Sequence, residues 1–73
     1  NSKQVYAELK VQYPSLKKII IQPALAVTDS AALKSTNLIL LELTGGLPAN
    51  EKIKLEKWLK IRLQQENLTI IFQ

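Results

Sequence analysis

The chain has 73 residues, 10 Lys+Arg against 6 Asp+Glu, and no Cys, His or Met. That length admits one small domain. The missing residue types exclude a disulfide framework, a thiol nucleophile and a cysteine-based zinc or iron–sulfur site, and they remove the commonest general base and metal ligand. The lack of Met leads us to expect that 1–73 is a single domain excised from a longer protein. Hydrophobic residues make up 47% of the chain, which is ordinary for a globular domain and too many for a disordered tail. Below roughly 70–80 residues one core leaves little stability margin, so a partner surface or unusually good packing is expected. No run of about 18 apolar residues is present to span a membrane, and the polar start, 1–10, is unlike a signal peptide. The formal charge is +4, but nine of the ten cations are Lys, spread along the chain, and there are only four aromatics. Nucleic-acid binders cluster Arg and Lys on one face and add exposed aromatics, so nucleic acid is not an expected partner.

Ser2 reads as an N-cap, with Val5, Leu9 and Tyr13 recurring at four-residue spacing behind it. Pro14 stops the pattern, because the residue before a proline is pushed out of the α region. The first element is therefore a helix over 2–13. Residues 17–27 alternate as a strand: Ile19, Ile21, Leu25 and Val27 share one face, and Ile20, Gln22, Ala24 and Ala26 the other. Pro23 cannot donate to a ladder, which makes this an edge strand or marks a bulge. Residues 28–36 read as a polar loop. In 37–44, Leu38, Ile39, Leu40, Leu41 and Leu43 leave both faces apolar, as in a strand covered on both sides. Gly45-Gly46 breaks it and Pro48 opens a second helix, with Asn50 as an alternative cap.

That helix is expected to run to about Glu66, with Leu55, Trp58, Leu59, Arg62 and Leu63 on its core stripe. Asn67 ends it in the left-handed conformation. Residues 68–72 form a short last strand, with Leu68, Ile70 and Phe72 on one face. The order αββαβ predicts an α+β fold with two helices packed on one face of a three-stranded mixed sheet. The crossover through the second helix is right-handed if the strands it joins are parallel.

Few residues point to chemistry. Glu51, Glu56 and Glu66 read as solvated partners of the lysines rather than a sheltered acid/base pair. Ser2, Ser15, Ser30 and Ser35 have no histidine to activate them, and a Ser–Lys pairing with Lys34 carries little weight. Gly45-Gly46 lacks the spacing of a phosphate loop and reads as a turn with positive φ. Asn67-Leu68-Thr69 matches a glycosylation sequon only at the level of chance, and Trp58 reads as core. We therefore expect no enzyme activity, no metal and no cofactor.

One group of residues is left over. If one face of the sheet meets the helices, Ile20, Leu38, Leu40 and Ile71 point the other way. Either a loop (Ala31 to Leu33) folds over them or a partner does: a second copy, a neighbouring domain of the parent protein, or lipid. The balance favours a partner. Lys52, Lys54, Lys57 and Lys60 on the second helix form a separate candidate surface for anionic headgroups.

The stretch Leu40-Leu41-Glu42-Leu43-Thr44-Gly45-Gly46-Leu47-Pro48-Ala49-Asn50-Glu51, set in an αββαβ order, resembles a BON-type domain. The Val-rich strand endings and second hydrophobic-Gly pattern usual there are missing. The spacing of Leu55, Trp58, Leu59, Arg62 and Leu63 more closely resembles the soluble tail of an uncharacterised family of bacterial and archaeal hydrophobic-domain membrane proteins. These resemblances imply a non-catalytic interaction or assembly domain, outside the bilayer, on a membrane-anchored parent. The alternative they imply is a module for anionic phospholipid surfaces.

Overall fold

A computed structural model describes residues 1–29 and 33–73. The first helix, α1 (Ser2–Gln12), is capped by Asn1, whose Oδ1 accepts from the Gln4 N–H at 3.0 Å. The expected cap, Ser2, is instead the first helical residue. Asn and Ser are equally good caps, so the choice falls to register, and Asn1 also accepts the first helical hydrogen bond, from Val5. Val5 and Leu9 are buried as the four-residue spacing requires.

Strand β1 (Leu16–Val27) pairs antiparallel with β2 (Leu33–Leu43), and β2 pairs parallel with β3 (Leu68–Phe72), giving the order β1-β2-β3. Pro23 therefore lies in an edge strand, and the irregularity in pairing falls at Leu16/Lys18 rather than at the proline. The second helix, α2 (Ala49–Leu63), makes the crossover between the parallel strands. Gly45 and Gly46 turn the chain after β2 at φ of +82° and +70°, values that a side chain disfavours.

The core lies between the sheet and both helices. It consists of Val5, Leu9, Leu16, Ile39, Leu41, Leu43, Leu55 and Leu59, all buried, with Ile19, Ile21, Trp58, Leu63, Leu68, Ile70 and Phe72 packed around them. The α+β arrangement, with both helices on one face, is as expected. The helices run antiparallel, since Glu8 meets Arg62 at one end and Tyr13 meets Glu51 at the other. On the α1 side, Lys10 Nζ donates to the Pro14 and Leu16 carbonyls at 2.7 Å, pinning the helix to the start of β1.

The largest differences from the expected boundaries are at the start of β2 and the end of α2. The segment 33–36, read as loop, is the start of β2 and pairs with 24–27. Main-chain ladder bonds there do not depend on the polar side chains that suggested a loop. Helix α2 ends at Leu63, short of Glu66, with Gln64 rather than Asn67 in the left-handed conformation at φ 54°. The Gln64 and Gln65 N–H groups close back on Ile61 and Lys60, a helix-ending hydrogen-bond pattern that does not depend on the side chain.

Candidate functional site

The β1–β2 hairpin sets the long dimension of the molecule, 40 Å in extents of 40 × 25 × 18 Å. Strands rise about 3.3 Å per residue and helices only 1.5 Å. The hairpin therefore runs past the ends of both helices, and β3 reaches only Asn37–Leu41 of β2. Leu25 and Val27 keep the alternation expected of them, on the face of Ile19 and Ile21. They lie beyond helical cover and, like Leu33, remain largely exposed.

On the other face, register does what alternation alone could not. Ile20 stands opposite Leu40, and Leu40 opposite Ile71, so the three form one continuous row across all strands. Gln22, Leu38 and Thr69 form the next row. Ile20 and Ile71 are exposed, at 39% and 43%, and Leu38 and Leu40 are half-buried by their neighbours. Among the described residues, no helix covers this face. Leu33 lies in β2 and does not fold over it, while Ala31 and Ala32 lie outside the described residues. At one end of the patch Lys18 and Glu42 pair at 3.7 Å, which leaves that rim electrically neutral.

The four helix lysines do not join this patch. Helix α2 lies on the opposite side of the sheet, so Lys52, Lys54, Lys57 and Lys60 are separated from Ile20, Leu38, Leu40 and Ile71 by the sheet itself. Three of them are engaged: Lys54 with Glu51 at 3.7 Å, Lys60 with Glu56 at 3.5 Å, and Lys52 above the Phe72 ring at 5.1 Å. Lys57 falls on the outer stripe between the exposed Ile53 and Ile61, at four-residue intervals.

The sequence reading missed the contacts that lock the helices together. The Arg62 guanidinium, placed by spacing on the core stripe, forks onto Glu8 through Nε and Nη2, both at 2.9 Å. That hydrogen bond, helped by the positive charge, holds the Glu8 carboxyl below its ordinary range and raises the Arg62 value. Burial, with Glu51 nearby, pushes the Tyr13 phenol up. Glu8 and Arg62 are 54 residues apart, a separation no local pattern exposes.

A carboxyl whose folded value lies below its unfolded one, about 4.3, stabilises the fold above that range. The contribution is lost as pH falls through the lowered folded value. Thermal melting of Glu8→Gln is therefore expected to show a small loss of stability at neutral pH, and the gap from wild type should close in acid. A gap that persists unchanged in acid would show that the ion pair is not its source.

A surface depression lies between the hairpin and the turn after α2, lined by Pro23, Thr36, Asn37, Gln65 and Asn67, with a volume of about 430 Å³. Asn37 Nδ2 donates to Gln65 Oε1 across it, and Thr36 Oγ1 donates to the Asn67 carbonyl at 3.0 Å. These bonds tie the turn to the hairpin and leave a lining of neutral amides and hydroxyls beside Glu66. Among the described residues, no three His, Cys, Asp or Glu side chains come together, and no helix is long and apolar enough to cross a membrane.

A family profile described as a domain of unknown function, DUF8492, matches residues 1–73. The chain belongs to the DUF8492 family. No curated protein and no solved structure matches it. Within this DUF8492 domain, the feature with a specific geometry is the uncovered row of Ile20, Leu40 and Ile71.

Proposed function

We propose that the domain is a non-catalytic interaction and assembly module whose helix-free sheet face is covered by protein. The continuous row Ile20–Leu40–Ile71, flanked by Leu38, carries this reading. Three aligned aliphatic side chains across a sheet form a flat apolar surface of the kind that packs against another sheet or helix. The rim pair Lys18–Glu42 is neutral as a unit, so it opposes neither a second copy nor a neighbouring domain of the parent chain. An anionic membrane would favour surplus cations beside the apolar patch, and the lysines of α2 lie across the sheet from it. The likeness in spacing to soluble tails of membrane proteins fits a module hung on a membrane-anchored parent.

Light scattering over a concentration series is expected to show association up to millimolar chain. Ile20→Lys or Leu38→Lys should each reduce it, because either change places a charge in the contact, while Ile53→Lys on the outer side of α2 should not. A wild-type chain that stays monomeric at millimolar concentration would sink this reading.

A second reading rests on α2. Its outer stripe alternates Ile53, Lys57 and Ile61, with Lys54 beside it, and this fits a helix lying on an anionic bilayer. Co-sedimentation with phosphatidylserine-containing vesicles, weakening with salt and lost in Lys54→Glu/Lys57→Glu, would support it. Absence of binding at low salt would remove it.

A further inference from the structure

The free edge of β3 carries an inference separate from the face. Hydrogen bonds run from Asn37 N–H to Asn67 O, from Gln73 N–H to Leu41 O and from Leu43 N–H to Gln73 O. In a parallel ladder alternate residues face the partner strand. The odd-numbered residues of β3 therefore bond to β2, and Leu68, Ile70 and Phe72 turn their N–H and C=O groups to the open side. This edge, Leu-Thr-Ile-Ile-Phe, contains no charge, no proline and no glycine. Native sheets ordinarily blunt such edges with lysine, proline or a bulge. The opposite edge of this sheet has all three: Lys17 and Lys18, Pro23, and the irregularity at Leu16/Lys18.

We infer that the β3 edge is a self-pairing site, at which a second copy adds its own β3 antiparallel about a two-fold axis midway between the two Ile70 residues. That axis stands perpendicular to the sheet and keeps the helices of both copies on one side, so only residues of equal parity can be opposed. Centred on Ile70, the register sets Leu68 against Phe72 of the second copy and Ile70 against its own equivalent. These are the residues whose main-chain groups point outward, and in antiparallel pairs such opposed residues exchange both bonds. All six outward groups of each copy are satisfied and none is left over.

The symmetric register sets Asn67 against Gln73 of the second copy. With no charged side chain anywhere in 67–73, it brings no like charges together, so this edge accepts a second copy without the repulsion that usually guards sheet edges. Pairing also enlarges the helix-free face. Three strands about 4.8 Å apart and five residues long present a patch of about 14 by 17 Å. That is small beside the roughly 800 Å² each partner buries in a stable interface. A six-stranded sheet doubles it, with Ile71 of each copy opposite Thr69 of the other, so the two Ile20–Leu40–Ile71 rows share one face, offset by two residues.

Edge pairing and face packing are separable. Ile70→Pro removes an outward N–H without breaking the β2 ladder, a change edge strands tolerate, and Ile70→Val keeps that N–H. Light scattering of the full chain should show association through the edge lost in Ile70→Pro, with at least a tenfold weaker dissociation constant, and kept in Ile70→Val. Ile20→Lys should leave edge pairing intact. If the face reading fails, the wild type is a dimer that Ile70→Pro dissolves and Ile20→Lys does not.

Amide hydrogen exchange provides a readout that needs no variant to fold. At low concentration the Leu68, Ile70 and Phe72 amides should exchange as open groups while those of Thr69 and Ile71 are protected. At high concentration all five should be protected. Association without new protection at Leu68, Ile70 and Phe72, or no association in a chain whose Thr69 and Ile71 amides are protected, overturns the proposal.

Discussion

Ile39→Ala is expected to cost roughly 2–5 kcal/mol, the range for removing a buried aliphatic side chain from a core that relaxes only partly. Ile39 is fully buried in the central strand, between Ile21 on β1 and Ile70 on β3, under both helices. A core in a domain of this size supplies only about 3–5 kcal/mol in total, so the variant should lie near or past its unfolding midpoint at room temperature. Circular dichroism with urea titration would measure it. The neighbouring Leu40→Ala should cost less than about 1.5 kcal/mol, because Leu40 projects from the helix-free face and leaves no closed cavity. Equal losses at the two positions would contradict the facing described above.

Ile71→Pro is expected to unfold the domain where Ile70→Pro does not. The Ile71 N–H faces β2, so proline there breaks the parallel ladder and orphans a carbonyl beside the core, at roughly 1–3 kcal/mol for that group alone. The ring also crowds the strand that closes the sheet. Ile70 and Ile71 are both isoleucines in the same short strand, one residue apart. Their different tolerance of proline would come from main-chain direction rather than from composition. Far-UV circular dichroism and thermal melting of the two variants side by side would decide it; equal unfolding would show that edge direction is not the controlling variable.

The element order was legible because each element has a local cause. Four-residue spacing with Pro14 behind it defined α1, the unbroken aliphatic run marked β2, and Gly45-Gly46 with Pro48 separated β2 from α2. What was misread has no local signature. Lys34, Ser35 and Thr36 carry polar, loop-like side chains, and 33–36 is strand because 24–27 lie opposite it. Gln64 rather than Asn67 ends α2 although asparagine tolerates the left-handed conformation better, since helix-ending main-chain bonds form with any side chain.

The candidate face was partly legible. Alternation sorted Ile20, Leu38, Leu40 and Ile71 away from the helices, but only register could align Ile20, Leu40 and Ile71 in a row, because alternation says which side a residue faces and nothing about what stands beside it. The four lysines show the converse: 100° periodicity spread them around α2, and only packing put them across the sheet from the apolar row.

The missing Cys and His determined by themselves that these 73 residues hold no disulfide, thiol or histidine chemistry, because those exclusions depend on which atoms are present. The hydrophobic periods determined the kinds of element, because burial needs one apolar side per helix or strand. The Arg62–Glu8 fork, the hairpin that outruns its helices and the bare β3 edge were decided only in three dimensions. Each depends on which main-chain and side-chain groups meet across a long separation, and a linear pattern of side chains does not encode that meeting.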